Sequence, residues 1–278
     1  MPKNKKPRRN KKTDPIHSDT QTAMPANILT QFKNSITKAA GRMGYEIIPA
    51  WKLGRKPESD LLGALFSLHG IATVLDVGAN KGQYADYLRN HLDFRGRIIS
   101  FEPIRENCLQ LLEKASGRRD WDIRDFALGN ENTSQDLQVM KADVFSSFLN
   151  PTTEFTHGFE QYNAVARTEK VAIRRLDDIL DEIDCHPSRS PVYLKIDTQG
   201  YDMEVIKGAK SALQDIRALQ TELSVINIYE NMPSMLEVIT YLDNLGFKMA
   251  GMFPVSRDQN MKVVEFDAVF VNDRFSRK

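Results

Sequence analysis

The chain has 278 residues, 41% hydrophobic and 27% charged, with 38 Lys and Arg against 37 Asp and Glu, which supports one sizeable core and excludes disordered and fibrous classes. No apolar run approaches the roughly 18 residues of a membrane span, and Cys108 and Cys185 stand in no C-x-x-C or Cys/His cluster, excluding a disulfide framework or zinc site. The near-neutral total hides an acid-free basic stretch, Lys3, Lys5, Lys6, Arg8, Arg9, Lys11 and Lys12, so the rest of the chain is net acidic; that argues against a protein built to grip phosphate backbones.

Residues 1–25 lack hydrophobic periodicity and read as a solvated basic tail, able at most to touch an anionic surface weakly. No apolar signal-peptide core follows it, so a cytoplasmic placement is expected. Residues 26–57, with a weakly amphipathic stretch from Ile28 to Ala40, read as an N-terminal helical extension, and the main domain is expected over 58–278. It opens with Leu61, Leu62, Ala64, Leu65 and Leu68 at helical spacing before Gly70.

Short apolar runs and amphipathic stretches then alternate. Strands are predicted at Ala72–Val77, Arg97–Phe101 and Asp122–Ala127, with helices at Tyr84–His91 and Arg105–Ala115 between them. Parallel strands need crossovers of that length, so the alternation implies a doubly wound α/β sheet. Residues 130–169 break the rhythm, apart from a short strand at Gln135–Met140, and read as an insertion or lid. Beyond them come strand Lys170–Arg174, helix Leu176–Ile183, strand Val192–Ile196, helix Asp202–Leu213, strand Ala218–Val225 and helix Ser234–Leu245. Strand Phe247–Gly251, a turn containing Pro254 and strand Val263–Val271 complete the chain as a hairpin at the sheet edge.

Chemistry is concentrated where strands end. Asp76-Val77-Gly78-Ala79-Asn80-Lys81-Gly82-Gln83-Tyr84 runs from a buried strand through a glycine turn into a helix. Gly78 permits close approach of a ligand, and the helix start offers free amides to an anionic group. The G-x-x-x-G spacing is a poor match for a dinucleotide pyrophosphate. The next strand ends in Glu102-Pro103, a carboxylate able to accept both hydroxyls of a ribose before a proline suited to a helix start. Asp125 and Phe126 lie at the end of the third strand, where parallel alignment would set them beside a nucleobase; Asp at such a place is also a common turn residue.

Asp197 ends the strand Leu194-Lys195-Ile196 at the same edge and is the candidate general base, although Asp there equally suits a helix cap. Glu222 ends the next strand and is a candidate substrate contact. His157, in the irregular middle, is a weaker one, since a lone loop histidine is commonly a surface residue. Asp197, Asp202 and Glu222 fix no coordination set, so no metal ligand is assigned and a divalent metal stays open.

Together these segments resemble the FkbM family of S-adenosylmethionine-dependent methyltransferases over roughly residues 72–272. Val74 to Gly82, Phe101-Glu102-Pro103, Ala127-Leu128-Gly129, Ser146-Ser147, Leu176-Asp177, Leu194 to Asp197 with Gly200, and Asp267 to Asn272 carry the likeness. The resemblance implies a Rossmann-like class I methyltransferase fold: a seven-stranded, mostly parallel sheet with an antiparallel last strand and helices on both faces. It implies S-adenosylmethionine as cofactor, held by Asp76, Gly78, Ala79, Asn80, Gly82, Tyr84, Glu102, Pro103, Asp125 and Phe126. The expected acceptor is a hydroxyl on a sugar, glycolipid or other small molecule, with no specific nucleic acid partner and an oligomeric state that the residues do not indicate. Where the family commonly has an acid two places after Asp197, this chain has Gln199, and Asp202 replaces the commoner glutamate. A nicotinamide-dependent oxidoreductase on a related fold, or a non-catalytic methyltransferase-like binding protein, are the alternatives.

Overall fold

A computed structural model describes residues 35–49, 53–141, 146–150, 152 and 164–276. Contacts divide the chain into two units, with the boundary between Leu53 and Gly54. In the first, residues 35–42 are helical.

The second unit begins with α1 (Lys56–His69), which Gly70 ends in the left-handed conformation. Then follow β1 (Thr73–Val77), α2 (Gln83–His91), β2 (Arg97–Phe101), α3 (Arg105–Ala115), β3 (Trp121–Arg124), β4 (Ala127–Leu128), β5 (Thr133–Met140), β6 (Val165–Arg174), α4 (Leu176–Ile179), β7 (Val192–Ile196), α5 (Asp202–Gly208), β8 (Ala218–Ser224), α6 (Met235–Asn244), β9 (Phe247–Arg257) and β10 (Val263–Asn272). The main sheet has seven strands in the order β3-β2-β1-β7-β8-β10-β9. Five run parallel from β3 to β8, and β10 is antiparallel to both of its neighbours. This is the expected mostly parallel sheet with a reversed last strand.

Strands β1 and β7 are buried along their whole length because helices cover both faces. Alternation sends Val74, Ile98 and Tyr193 into the core beneath α1, α2 and α3, and Leu75, Ile99 and Leu194 into the core beneath α4, α5 and α6. Each such fully buried aliphatic side chain contributes about 1.5–3 kcal/mol. Helix α6 starts with a reciprocal cap: Glu237 N donates to Ser234 Oγ at 3.3 Å, and Ser234 N donates to Glu237 Oε2 at 2.7 Å. Ser234→Ala is expected to lower stability by about 1 kcal/mol, measured by urea unfolding, and an unchanged midpoint would contradict it.

Six expected elements differ. The third strand stops at Arg124, and Ala127–Leu128 leaves the main sheet to pair with β6 in a second sheet, β4-β6-β5. Strands β5 and β6 are longer than expected, because they form an antiparallel ladder from Thr133↔Ile173 to Met140↔Val165. The helix begun at Asp202 ends at Gly208, where a side chain would meet the carbonyl of Gly129. Asp177 then accepts the Ser211 and Ala212 amides and starts a separate 3-10 turn at Ala212–Gln214. Finally, β9 passes straight through Pro254. An edge strand tolerates a residue with no donor, and a register irregularity falls beside it at Glu265/Phe266. The turn lies later, where Asp258 Oδ1 accepts the Asn260 and Lys262 amides at 2.8 Å. The helix expected to reach Ile183 ends at Ile179.

Candidate active site

Register aligns the strand tips. Val77 pairs with both Phe101 and Ile196, Phe101 pairs with Arg124, and Ile196 pairs with Thr221. The residues immediately beyond those pairs therefore form one row across the sheet: Asp125, Glu102, Gly78, Asp197 and Glu222. Antiparallel β10 extends it by setting Asp267 opposite Glu222. The chain winds to one side of β1 through β2 and β3 and to the other through β7 and β8, so the row crosses the topological switch point, where open α/β sheets leave a crevice. A cavity of about 400 Å³ lies there, and Gly78, Ala79, Asn80, Tyr84, Glu102, Pro103, Asp197 and Glu222 all line it.

Gly78 has φ +76°, and a Cβ on it would run into the Asp197 carbonyl oxygen. Its amide and that of Ala79 donate to Phe101 O at 3.1 and 3.0 Å, pinning the turn to the end of β2. Asn80 N donates to Glu102 Oε2 and Ile104 N to Glu102 Oε1, both at 2.8 Å. Glu102, 3% exposed, is thereby held in place by both of its oxygens.

Asp76 lies fully buried behind the turn, where Ser100 Oγ donates to its Oδ2 at 3.2 Å. The Lys195 ammonium sits 3.3 Å from Asp76 Oδ1 and 3.4 Å from Asp197 Oδ2, and 5.2 Å from the centre of the Tyr84 ring. Burial works against that ammonium, but Asp197 and Asp76 outweigh it and raise Lys195 above the usual lysine range. Burial also raises the Asp76 carboxyl, against the pull of Lys195.

Tyr84 and Tyr193 hydroxyls both donate to Gln220 Oε1 at 3.0 Å, and Gln220 Nε2 donates to Glu58 Oε1 at 3.2 Å. Thus α1 contributes a carboxyl to the cavity wall. Burial pushes Asp267 up to about 7, with Glu58 and Asp197 adding to the shift while Gln220 and Lys195 oppose it. Because the folded value exceeds the unfolded 3.8, this contribution is complete below that pH and is lost as pH rises towards about 7. The loss runs at up to about 1.4 kcal/mol per pH unit. Asp267→Asn is expected to flatten that slope, read from urea midpoints at about pH 5 and about pH 8; parallel profiles for the two proteins would contradict it.

Other expected residues lie apart. Gly82 caps α2 and packs on Leu111 and Trp121. Asp125 is exposed, and Phe126 is buried with its ring 5.7 Å from that of Phe101; neither lines the cavity, where Ala127 and Ile104 do. His157 lies outside the described residues. Asp202 is turned inward: the Thr198 amide and hydroxyl and the Thr221 hydroxyl occupy both its oxygens. Among the described residues no group of three or more His, Cys, Asp or Glu is arranged for a metal ion.

Ser146 and Ser147 acquire a structural account. Ser147, 1% exposed, pairs with Gln138 on β5 and donates from Oγ to Gln199 O at 2.7 Å, while Ser146 Oγ accepts the Met140 amide at 3.1 Å. They tie the β5–β6 excursion to the turn after Asp197. Lys195, Gln199, Glu58, Gln220, Glu265 and Asp267 were not singled out as site residues from sequence. A lysine inside the buried run Val192–Ile196 was the available signal for the first, because an unpaired charge is not buried.

The topology and the row of tip residues define a Rossmann-like methyltransferase domain. The model for the methyltransferase FkbM domain matches residues 76–249, more than half of the chain, and the chain belongs to that family. Among solved structures, it is similar to a methyltransferase FkbM from Methylobacillus flagellatus KT (16% identity, TM-score 0.47), the match covering 72% of this chain and 43% of that one. It therefore spans less than half the length of that relative. It is also similar to an rRNA methylase from Streptococcus thermophilus (10% identity, TM-score 0.44, 81% and 98% covered). A third is magnesium protoporphyrin IX methyltransferase from Synechocystis PCC 6803, solved with bound SAM (12% identity, TM-score 0.41, 91% and 100% covered). No curated protein matches the sequence. Among the described residues, no helix is long and apolar enough to cross a membrane.

Proposed function

We propose that this chain is an S-adenosylmethionine-dependent O-methyltransferase acting on a hydroxyl of a sugar, glycolipid or other small molecule. The observation that carries the reading is the register row, in which Gly78 stands between Glu102 and Asp197 at the mouth of the switch-point cavity.

The residues suit the cofactor. Gly78 lets the turn after β1 lie directly against the Asp197 backbone, which draws the two strand tips together at the cavity, and Glu102 stands next to Gly78 in the row, where a carboxylate suits ribose hydroxyls. Asp125, beyond Glu102 in the row, is assigned to the adenine end, and Phe126 backs it from the core through its packing on Phe101. Asp76, Asn80, Gly82, Tyr84 and Pro103 build and back the turn. When bound, the cofactor supplies an electrophilic methyl on a cationic sulfur.

Asp197 would orient the acceptor hydroxyl and take its proton as that oxygen is methylated. Gln199 Nε2 donates to Asp197 Oδ1 at 3.1 Å and the Lys195 ammonium flanks Oδ2, so the carboxylate is held in place before the acceptor arrives. Glu222 is a second acceptor contact, and His157 a further candidate from the middle segment.

Calorimetric titration with S-adenosylhomocysteine and with NAD, followed by transfer of labelled methyl to hydroxylated sugars, tests the reading. Binding of S-adenosylhomocysteine and incorporation into an ether are expected. Binding of NAD alone would favour an oxidoreductase, and cofactor binding with no transfer to any hydroxylated acceptor a binding protein.

A further inference from the structure

The acceptor side of the cavity is crowded with carboxyl groups and short of cations. Glu222 on β8 stands directly opposite Asp267 in the β8–β10 ladder, while Glu265 of β10 pairs with Ser224, two residues along β8. Like charges directly opposite one another repel. Asp197 follows β7 and Asp202 opens α5, whereas the nearby cation, Lys195, is engaged by Asp76 and Asp197. Among the described residues Glu222 has no ion pair.

One amide organises the cluster. Gln199 has φ +52°, and its carbonyl is held by Ser147 at 2.7 Å. Its Oε1 accepts from the Tyr229 hydroxyl at 3.2 Å, which turns the amide nitrogen toward the carboxyls. That nitrogen donates to Asp197 Oδ1 at 3.1 Å and to Glu222 Oε2 at 3.2 Å. Burial, followed by the buried carboxylates, keeps the Tyr229 hydroxyl protonated and therefore a donor.

The two bridged carboxyls differ in surroundings. Asp197 has an ammonium beside it and Glu222 has only acids. Burial first, then Asp197, Glu265, Asp202 and Asp267, push Glu222 well above the usual carboxylate range. With Oε2 taken by the amide donor, the proton belongs on Oε1, which has no hydrogen-bond partner among the described residues. The ammonium beside Asp197 suits it as acceptor, and the acids around Glu222 suit it as donor.

We propose that Glu222 donates a hydrogen bond to the acceptor while Asp197 accepts one from it, so that the site takes two neighbouring oxygens, the vicinal diol or hydroxy ether of a polyol ring. The hydroxyl facing Asp197 is methylated and the adjacent oxygen is gripped by Glu222. This rests on the methyl-transfer reading above. It makes Glu222 a residue that selects the acceptor, with Gln199 and Tyr229 as positioning residues.

The test is carbon NMR of full-length protein labelled at the glutamate carboxyl, with and without S-adenosylhomocysteine, the Glu222 signal being the one lost in Glu222→Gln. A protonated carboxyl at about pH 7 is expected, moving to the ionised position only at higher pH. Replacing Gln199 by Leu removes the shared donor and is expected to move the titration higher still. An ionised Glu222 at about pH 7 overturns the proposal, and this holds whether or not the product binds, so a failure of the methyl-transfer reading is seen separately. In turnover with vicinal-diol methyl glycosides, Glu222→Ala and single deoxy acceptors are each expected to lose about tenfold or more, with Glu222→Gln retaining more activity than Glu222→Ala. Equal turnover of diol and deoxy acceptors by wild type also overturns it.

Discussion

Asp197→Asn is expected to lower the turnover of methyl transfer by about 10²- to 10⁴-fold, the usual contribution of a positioned proton acceptor, while the affinity for S-adenosylhomocysteine stays within about threefold of wild type. The asparagine retains the size of the side chain and an oxygen for the Gln199 amide, and Lys195 keeps Asp76 as a partner. The variant loses the anionic charge and the ability to take a proton from a hydroxyl. Glu102 and the Gly78 turn, which carry the nucleoside end, are untouched. Single-turnover rates with saturating cofactor, alongside product-binding calorimetry, separate the effects. Turnover within about twofold of wild type would remove Asp197 as the base.

Gly78→Ala is expected to cost about 2–5 kcal/mol of stability and to abolish measurable product binding. Left-handed backbone at a residue with a Cβ costs about 1–2 kcal/mol, and forcing a methyl into packed backbone costs about 1–3 kcal/mol more. The obstructing atom is the Asp197 carbonyl oxygen, so relief would require β1 and β7 to part at the point where Asp197 N donates to Val77 O at 3.1 Å. Gly70→Ala supplies the comparison. Gly70 is also left-handed, at φ +61°, but a Cβ there meets nothing within 4 Å, so only the conformational cost applies and binding persists. Urea unfolding of both variants, with calorimetry, measures the difference. Equal losses for the two would show that close strand approach does not govern this site.

Much of the scaffold was legible because local periodicity and burial agree. β2, α3 and β7 have the expected bounds, since each is a short run whose apolar spacing suits one element only. The elements that differed were decided by distant partners. Ala127–Leu128 reads as a continuation of β3 until β6 offers it another ladder, and Pro254 reads as a turn until its position on the sheet edge makes a strand acceptable. Beyond Gly208 the Asp177 carboxylate takes the Ser211 and Ala212 amides into a separate turn, a contact that no window of neighbouring residues contains.

The chain's order of residues, taken alone, determined the alternation of strand and helix, the glycine turn after β1, and the acids at the strand tips, because each is a local pattern of spacing or backbone freedom. Tertiary structure alone decided which acids share a cavity, that Lys195 is held between Asp76 and Asp197, and that Gln199 bridges Asp197 to Glu222. Those relations come from strand register and from the β8–β10 pairing. Electrostatic character follows from the distance between groups in space, which spacing along the chain does not specify.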